Sequence, residues 1–117
     1  MSSRIFHLIG RPPRVNDNRR AHWSKERITQ RYRILGLTEG HNREAVTPPV
    51  EIHVQPVVAG GNRADAGACY EVVKAFVDGL VDAGLMPDDG PDFVKCIHLH
   101  APELGEDDRL IVEVLEI

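Results

Sequence analysis

"ADAGACYEVVKAFVDGLVDAGLMPDDGPDFV", residues 64–94, is the stretch on which the fold turns. Val72, Val73, Phe76, Val77, Leu80 and Val81 recur at three- and four-residue steps, which predicts a helix over 68–83 with a broad apolar face. Gly84 suits the end of that helix, where a residue without a Cβ closes the last turn. "LMPDDGPD" (85–92) then reads as a turn-rich connection. Opposite the apolar face, Glu71, Lys74, Asp78 and Asp82 fall on one side of the helix. Asp65 stands just before the helix, and Asp88–Asp89 just after it.

Two readings of these charges are open. In the first, the stripe is a solvated helix face whose i,i+3 and i,i+4 pairs contribute a few tenths of a kcal/mol each. Asp65 is then a helix cap and Asp88–Asp89 ordinary turn chemistry. In the second, the carboxylates at both ends of the helix converge. Their mutual repulsion would be relieved by a divalent cation, and hard oxygen ligands suit Mg2+ or Mn2+. Lys74 would then supply positive charge where a phosphoryl transition state gathers negative charge.

Working outward, "RIFHLIG" (4–10) reads as a strand and "RPPRVNDNRR" (11–20) as a loop. Residues 21–44 read as a helix, with Trp23, Ile28, Tyr32, Leu35 and Leu37 at helical spacing and Gly36 interrupting the pattern. In "TPPVEIHVQPVVA" (47–59), Val50, Ile52 and Val54 alternate with Glu51, His53 and Gln55, as in a half-exposed strand. Pro56 predicts an edge position or a bulge there. "GGNRADAG" (60–67) is a loop. "FVKCIHLHA" (93–101) and "RLIVEVLEI" (109–117) are strands around the polar turn 105–108. The expectation is one α+β domain over 1–117, in βαβαββ order, with a mixed sheet, two helices and the last two strands as a hairpin.

At 117 residues the chain can bury a core without staples. Cys69 and Cys96 lack CxxC spacing, and the arginine-rich start carries no long apolar run. A cytoplasmic protein with reduced, buried thiols and no membrane span is expected. The net charge of −4 hides an asymmetry: residues 1–44 hold ten Lys/Arg against four Asp/Glu, and residues 45–117 hold four against fourteen. The result is either a basic face beside an acidic pocket or mutual neutralisation on folding. Six histidines raise the question of zinc. His98 and His100 share a strand face and His53 points outward on another strand, but Cys96 is expected to point away from both, which argues against a zinc site.

The central residues "KAFVDGLVDAGLMPDD" resemble the Lys-x-x-x-Asp-x-Leu helix and following Asp pair of the RusA family of Holliday-junction resolvases, often carried by phages. "RPPRVNDNRRAHW" and "DRLIVEVLEI" resemble that family's opening and closing segments. The resemblance implies a RusA-like fold, a homodimer, and Mg2+- or Mn2+-dependent cutting of branched, four-way DNA. Carried over by position, Lys74 is the catalytic lysine and Asp78 a supporting aspartate. Asp88–Asp89 is the acidic pair, with Asp89 as metal ligand together with Asp65. The family usually has Asp-x-Asp-Asn before the lysine. Here the stretch is Asp65-Ala66-Gly67-Ala68, with Glu71 as a replacement ligand. The alternative is a RusA-like module that binds junctions or a protein partner with reduced or absent cutting.

The basic half supplies the DNA contacts this implies: Arg14, Arg19, Arg20, Lys25, Arg27 and Arg31. Arg27 and Arg31 are four apart on one helical side, as phosphate contacts that position DNA without reading sequence would be. Trp23 either stacks on a base or packs in the core.

Overall fold

The computed structural model describes residues 2–10, 22–61 and 63–117, with backbone alone at 22–24. Seven elements follow one another: β1 (Ser3–Ile9), α1 (His22–His41), β2 (Val50–Val58), α2 (Tyr70–Asp82), β3 (Val94–Leu99), β4 (Glu103–Leu104) and β5 (Arg109–Glu116). The expected order is present, with the two-residue β4 added. The sheet runs β1-β5-β2-β3, and β4 also pairs with β2. β5 is antiparallel to both β1 and β2, while β3 and β4 are parallel to β2. The result is a single α+β domain with a mixed five-stranded sheet and two helices.

The last two long strands do not form a hairpin, because β2 lies between β3 and β5. A strand–helix–strand unit places its two strands parallel, so β3 takes one flank of β2 after the crossover through α2. β5 takes the other flank. Its Leu110, Val112 and Val114 are wholly buried, which marks an inner strand.

Pro56 does not sit at an edge either; it pairs with Leu110 of β5. Val54 and Val58 turn their carbonyls to the other flank, accepting from His100 N (3.0 Å) and Gly105 N (2.9 Å). Pro56 shares their parity, so its missing N–H faces the gap between β3 and β4. Gln55 spans that gap, its Nε2 donating to the Pro56 carbonyl (2.8 Å) and the Ala101 carbonyl (2.9 Å).

One face of the sheet carries the core: Phe6 and Leu8 from β1, Val50, Ile52 and Val54 from β2, and the three buried β5 residues. α2 covers it with Val72, Val73, Phe76, Val77 and Leu80, and α1 adds Ile28, Tyr32 and Leu35. Phe6 meets Phe76 edge to face at 5.5 Å. Leu37, expected on the apolar face of α1, is 41% exposed. The two helices touch backbone to backbone. A Cβ on Gly36 would lie 2.1 Å from the Phe76 carbonyl oxygen, and one on Gly79 2.0 Å from the Arg33 carbonyl oxygen. Gly36, which looks like a weak point in a helix, is what lets the helices approach.

α2 ends two steps before Gly84, which has φ +81°. Gly84 N donates to the Val81 carbonyl and Leu85 N to the Leu80 carbonyl, the paired bonds of a Schellman closure. No described helix is long and apolar enough to cross a membrane. Both cysteines are free; Cys69 is buried, whereas Cys96, expected to be buried, is only half so.

Candidate active site

Lys74 sits on the second turn of α2, on the side away from the sheet. Asp78 lies one turn further along, and its Oδ1 accepts from Lys74 Nζ at 2.9 Å. Asp89 arrives from the loop after α2, and its Oδ2 also accepts from Lys74 Nζ. A pair that helical spacing dictates is thus joined by a residue fifteen positions away. The Schellman closure at Gly84 reverses the chain and lets the loop return along the helix. Lys74 is 40% exposed and Asp89 25%. Hydrogen bonding to Lys74 holds the Asp89 carboxyl below the ordinary carboxylate range, against a smaller opposing effect of burial. Burial works against the Lys74 ammonium, but its bonds to Asp89 and then Asp78 outweigh it, and its pKa is raised. The cluster is therefore an ammonium held by hydrogen bonds to two carboxylates, those of Asp78 and Asp89. Beside it, a shallow groove of about 410 Å³ between the helices is lined by Thr29, Gln30, Arg33, Ala75 and Asp78.

The other acidic candidates are placed differently. Asp65 is exposed; its main-chain carbonyl accepts from Ala68 N at 3.1 Å. It does not cap α2, whose N-cap is Cys69, with no side-chain capping bond. Glu71 is turned toward α1 and pairs with Lys25 Nζ at 3.2 Å. Asp88 is exposed. Asp82, the end of the stripe, receives Arg33 through two bonds of 2.7 and 3.1 Å. Among the described residues, these carboxylates do not supply three ligand atoms close enough together to share a metal ion.

Of the basic candidates, Arg14, Arg19 and Arg20 lie outside the described residues, as does the side chain of Trp23. Arg27 and Arg31 are exposed on α1. Lys25 and Arg33 both face α2 carboxylates, so part of the charge asymmetry is neutralised within the fold.

A second polar cluster stands on the face of the sheet that no described helix covers. Its signal in the sequence was the outward alternation of Glu51 and His53. Val50 pairs with Val94, but Glu51 pairs with Cys96 and His53 with His98. Lys95 is skipped, and this bulge inverts the parity of β3. Ile97 and Leu99 then align with core residues Ile52 and Val54, while Cys96 and His98 share the open face with Glu51 and His53. The expectation that Cys96 points away from His98 is overturned: its Sγ is 3.0 Å from His98 Nε2. Glu51 Oε2 lies 3.2 Å from His53 Nε2 and 3.7 Å from His98 Nε2.

A scan against protein-family models and a search of curated proteins both find no match to this chain.

Proposed function

We propose that this chain is a RusA-like, structure-selective endonuclease that hydrolyses phosphodiesters at four-way DNA junctions, acting as a homodimer. The observation that carries this reading is the meeting of Lys74, Asp78 and Asp89 beside an open interhelical groove. These three residues come from the part of the sequence that resembles the family.

The donors available around the lysine are carboxylate oxygens, a chemistry that fits Mg2+ or Mn2+. By the resemblance Asp89 and Asp65 would hold the ion, with Asp88 and Glu71 as further donors; as placed they are not gathered into one group, so they would have to move together to do so. Bound there, the cation supplies Lewis-acid polarisation of a phosphoryl oxygen and a lowered pKa for water. The chain's own part falls to Lys74, whose ammonium hydrogen-bonds the phosphate oxygens as negative charge grows on them. Asp78 and Asp89 keep that ammonium charged and aimed. Arg27 and Arg31, exposed on α1, bind backbone phosphates. A two-fold dimer gives two equivalent sites for two symmetric cuts.

A second reading is a junction-binding module that cuts weakly or not at all. The lack of a three-carboxylate group among the described residues favours it. A labelled four-way junction incubated with and without Mg2+ or Mn2+ decides between them. The nuclease reading expects paired, metal-dependent cuts, reduced about 100-fold or more in Lys74→Ala with junction binding kept. Tight binding with no metal-dependent cutting selects the module. Neither binding nor cutting overturns both.

A further inference from the structure

The open face of the sheet holds a group of side chains that the proposed nuclease does not use. We propose that Glu51, His53 and His98, joined by Cys96, form a site for a borderline-soft divalent transition metal, Zn2+ foremost, that ties β2 to β3. The site is separate from the Lys74 cluster and from the Mg2+ or Mn2+ chemistry proposed there.

Three observations converge on it. The first is placement. Two donors come from each of two adjacent parallel strands, and they face one another only because the bulge at Lys95 shifts the register by one residue. The second is spacing. The donor atoms of Glu51, His53 and His98 all lie within 4.8 Å of one another, the one such group among the described residues. For ligands about 2.0–2.3 Å from a tetrahedral Zn2+, neighbouring donors are roughly 3.3–3.7 Å apart. The contacts from Glu51 Oε2 to the two imidazoles, 3.2 and 3.7 Å, and from Cys96 Sγ to His98 Nε2, 3.0 Å, fall close to those edges. The third is a shared partner. His53 and His98 both present Nε2 to the same carboxylate; their rings stack at 4.2 Å with planes 4° apart, so one ring turns for both lone pairs to reach a single ion. Cys96, whose Sγ is 3.0 Å from His98 Nε2 but which lies outside the three-residue group, is the nearest fourth donor.

The donor set selects the metal. Two imidazoles, a thiolate and one carboxylate suit Zn2+ or Co2+ and are a poor match to Mg2+, which demands oxygen. All four side chains are half-buried or exposed, so an ion reaches them without unfolding the chain. Bound there, it would cross-link β2 and β3 in addition to their ladder bonds and the stacked histidines.

The test is direct titration of the intact protein with Zn2+, and with Co2+ as a spectroscopic probe. Supporting results are one ion bound per chain at micromolar metal, an intense tetrahedral Co2+ spectrum and a thiolate-to-cobalt charge-transfer band. Millimolar Mg2+ should not displace the ion. The band should vanish in Cys96→Ser and persist in Cys69→Ser. His53→Ala and His98→Ala should weaken binding at least as much as the ~10–100-fold typical of losing a supporting partner, and His41→Ala should not. His53→Gln serves if the alanine variant loses its circular dichroism spectrum. No stoichiometric binding, no thiolate band, or binding unweakened in both folded histidine variants would each overturn the site. None of these outcomes bears on junction cleavage, which rests on other residues.

Discussion

Along β2, Val50, Ile52 and Val54 meet no solvent, while Glu51, His53 and Gln55 of the same strand stand half in water. The first set is covered by two helices whose contact is so close that two glycines are required. The second set is covered by nothing among the described residues and carries polar and ionisable side chains. On the covered face the constraint is steric, and a single methyl group matters. On the open face it is chemical, and shape is forgiving. The Lys74 cluster belongs with the second kind: it lies on the outer side of α2, where the sheet's packing does not reach.

The largest expected effect comes from closing the contact between the helices. Gly79→Ala would normally help a helix by about 1 kcal/mol. Here the new methyl group falls 2.0 Å from the Arg33 carbonyl oxygen, so the helices must separate. The net loss should be about 2 kcal/mol or more in urea unfolding. Gly67→Ala, where a Cβ meets nothing within 4 Å, is the control and should be near neutral. Equal effects of the two would break the contrast between covered and open surfaces.

A smaller effect is expected at Asp89. The carboxyl is held below its ordinary range by Lys74, so the stability it contributes is complete above the unfolded value of about 3.9 and is lost as pH falls through the lower folded value. Lys74 is 40% exposed and water screens the pair. Asp89→Asn should therefore cost about 0.2–1 kcal/mol at pH 7. The gap between wild type and variant should narrow at pH 3, measured by urea unfolding at both values. A gap independent of pH would show that the pair contributes through shape rather than charge.

The smallest belongs to the open face. In metal-free buffer with a chelator present, His53→Ala should leave stability within about 0.5 kcal/mol of wild type. A loss several times larger would mean that the stacked histidines support the sheet and that the two faces differ less than their burial suggests.

Much of the fold could be read directly, and the failures share a cause. The apolar spacing of Val72, Phe76 and Leu80 announces α2, and the alternation of Val50, Ile52 and Val54 announces β2, because both periodicities are local. The pairing of Lys74 with Asp78 follows from helical geometry alone. That Asp89 joins them does not; it depends on the chain reversal at Gly84. Gly36 looked like a defect because its reason, Gly79, lies on another helix. Pro56 looked like an edge residue because the gap it faces is made by two strands much later in the chain. Cys96 and His98 are two apart on one strand, so plain alternation already puts them on one face; what it does not show is that the bulge at Lys95 turns that face away from the core, to the side of Glu51 and His53. Strands β2 and β3 flank a helix, however, and the usual parallel pairing of such units already brings His53 near His98.

The gap at Pro56 also shapes how this molecule meets its neighbours. The rim of the sheet formed by β3 and β4 is cut into a six-residue and a two-residue piece by a position that has no amide hydrogen to offer. A continuous, flat rim invites a strand from another molecule to extend the ladder. This one supplies a short run, an interruption filled by a glutamine, and then a stub, so a strand from a neighbouring molecule finds little to grip along that border.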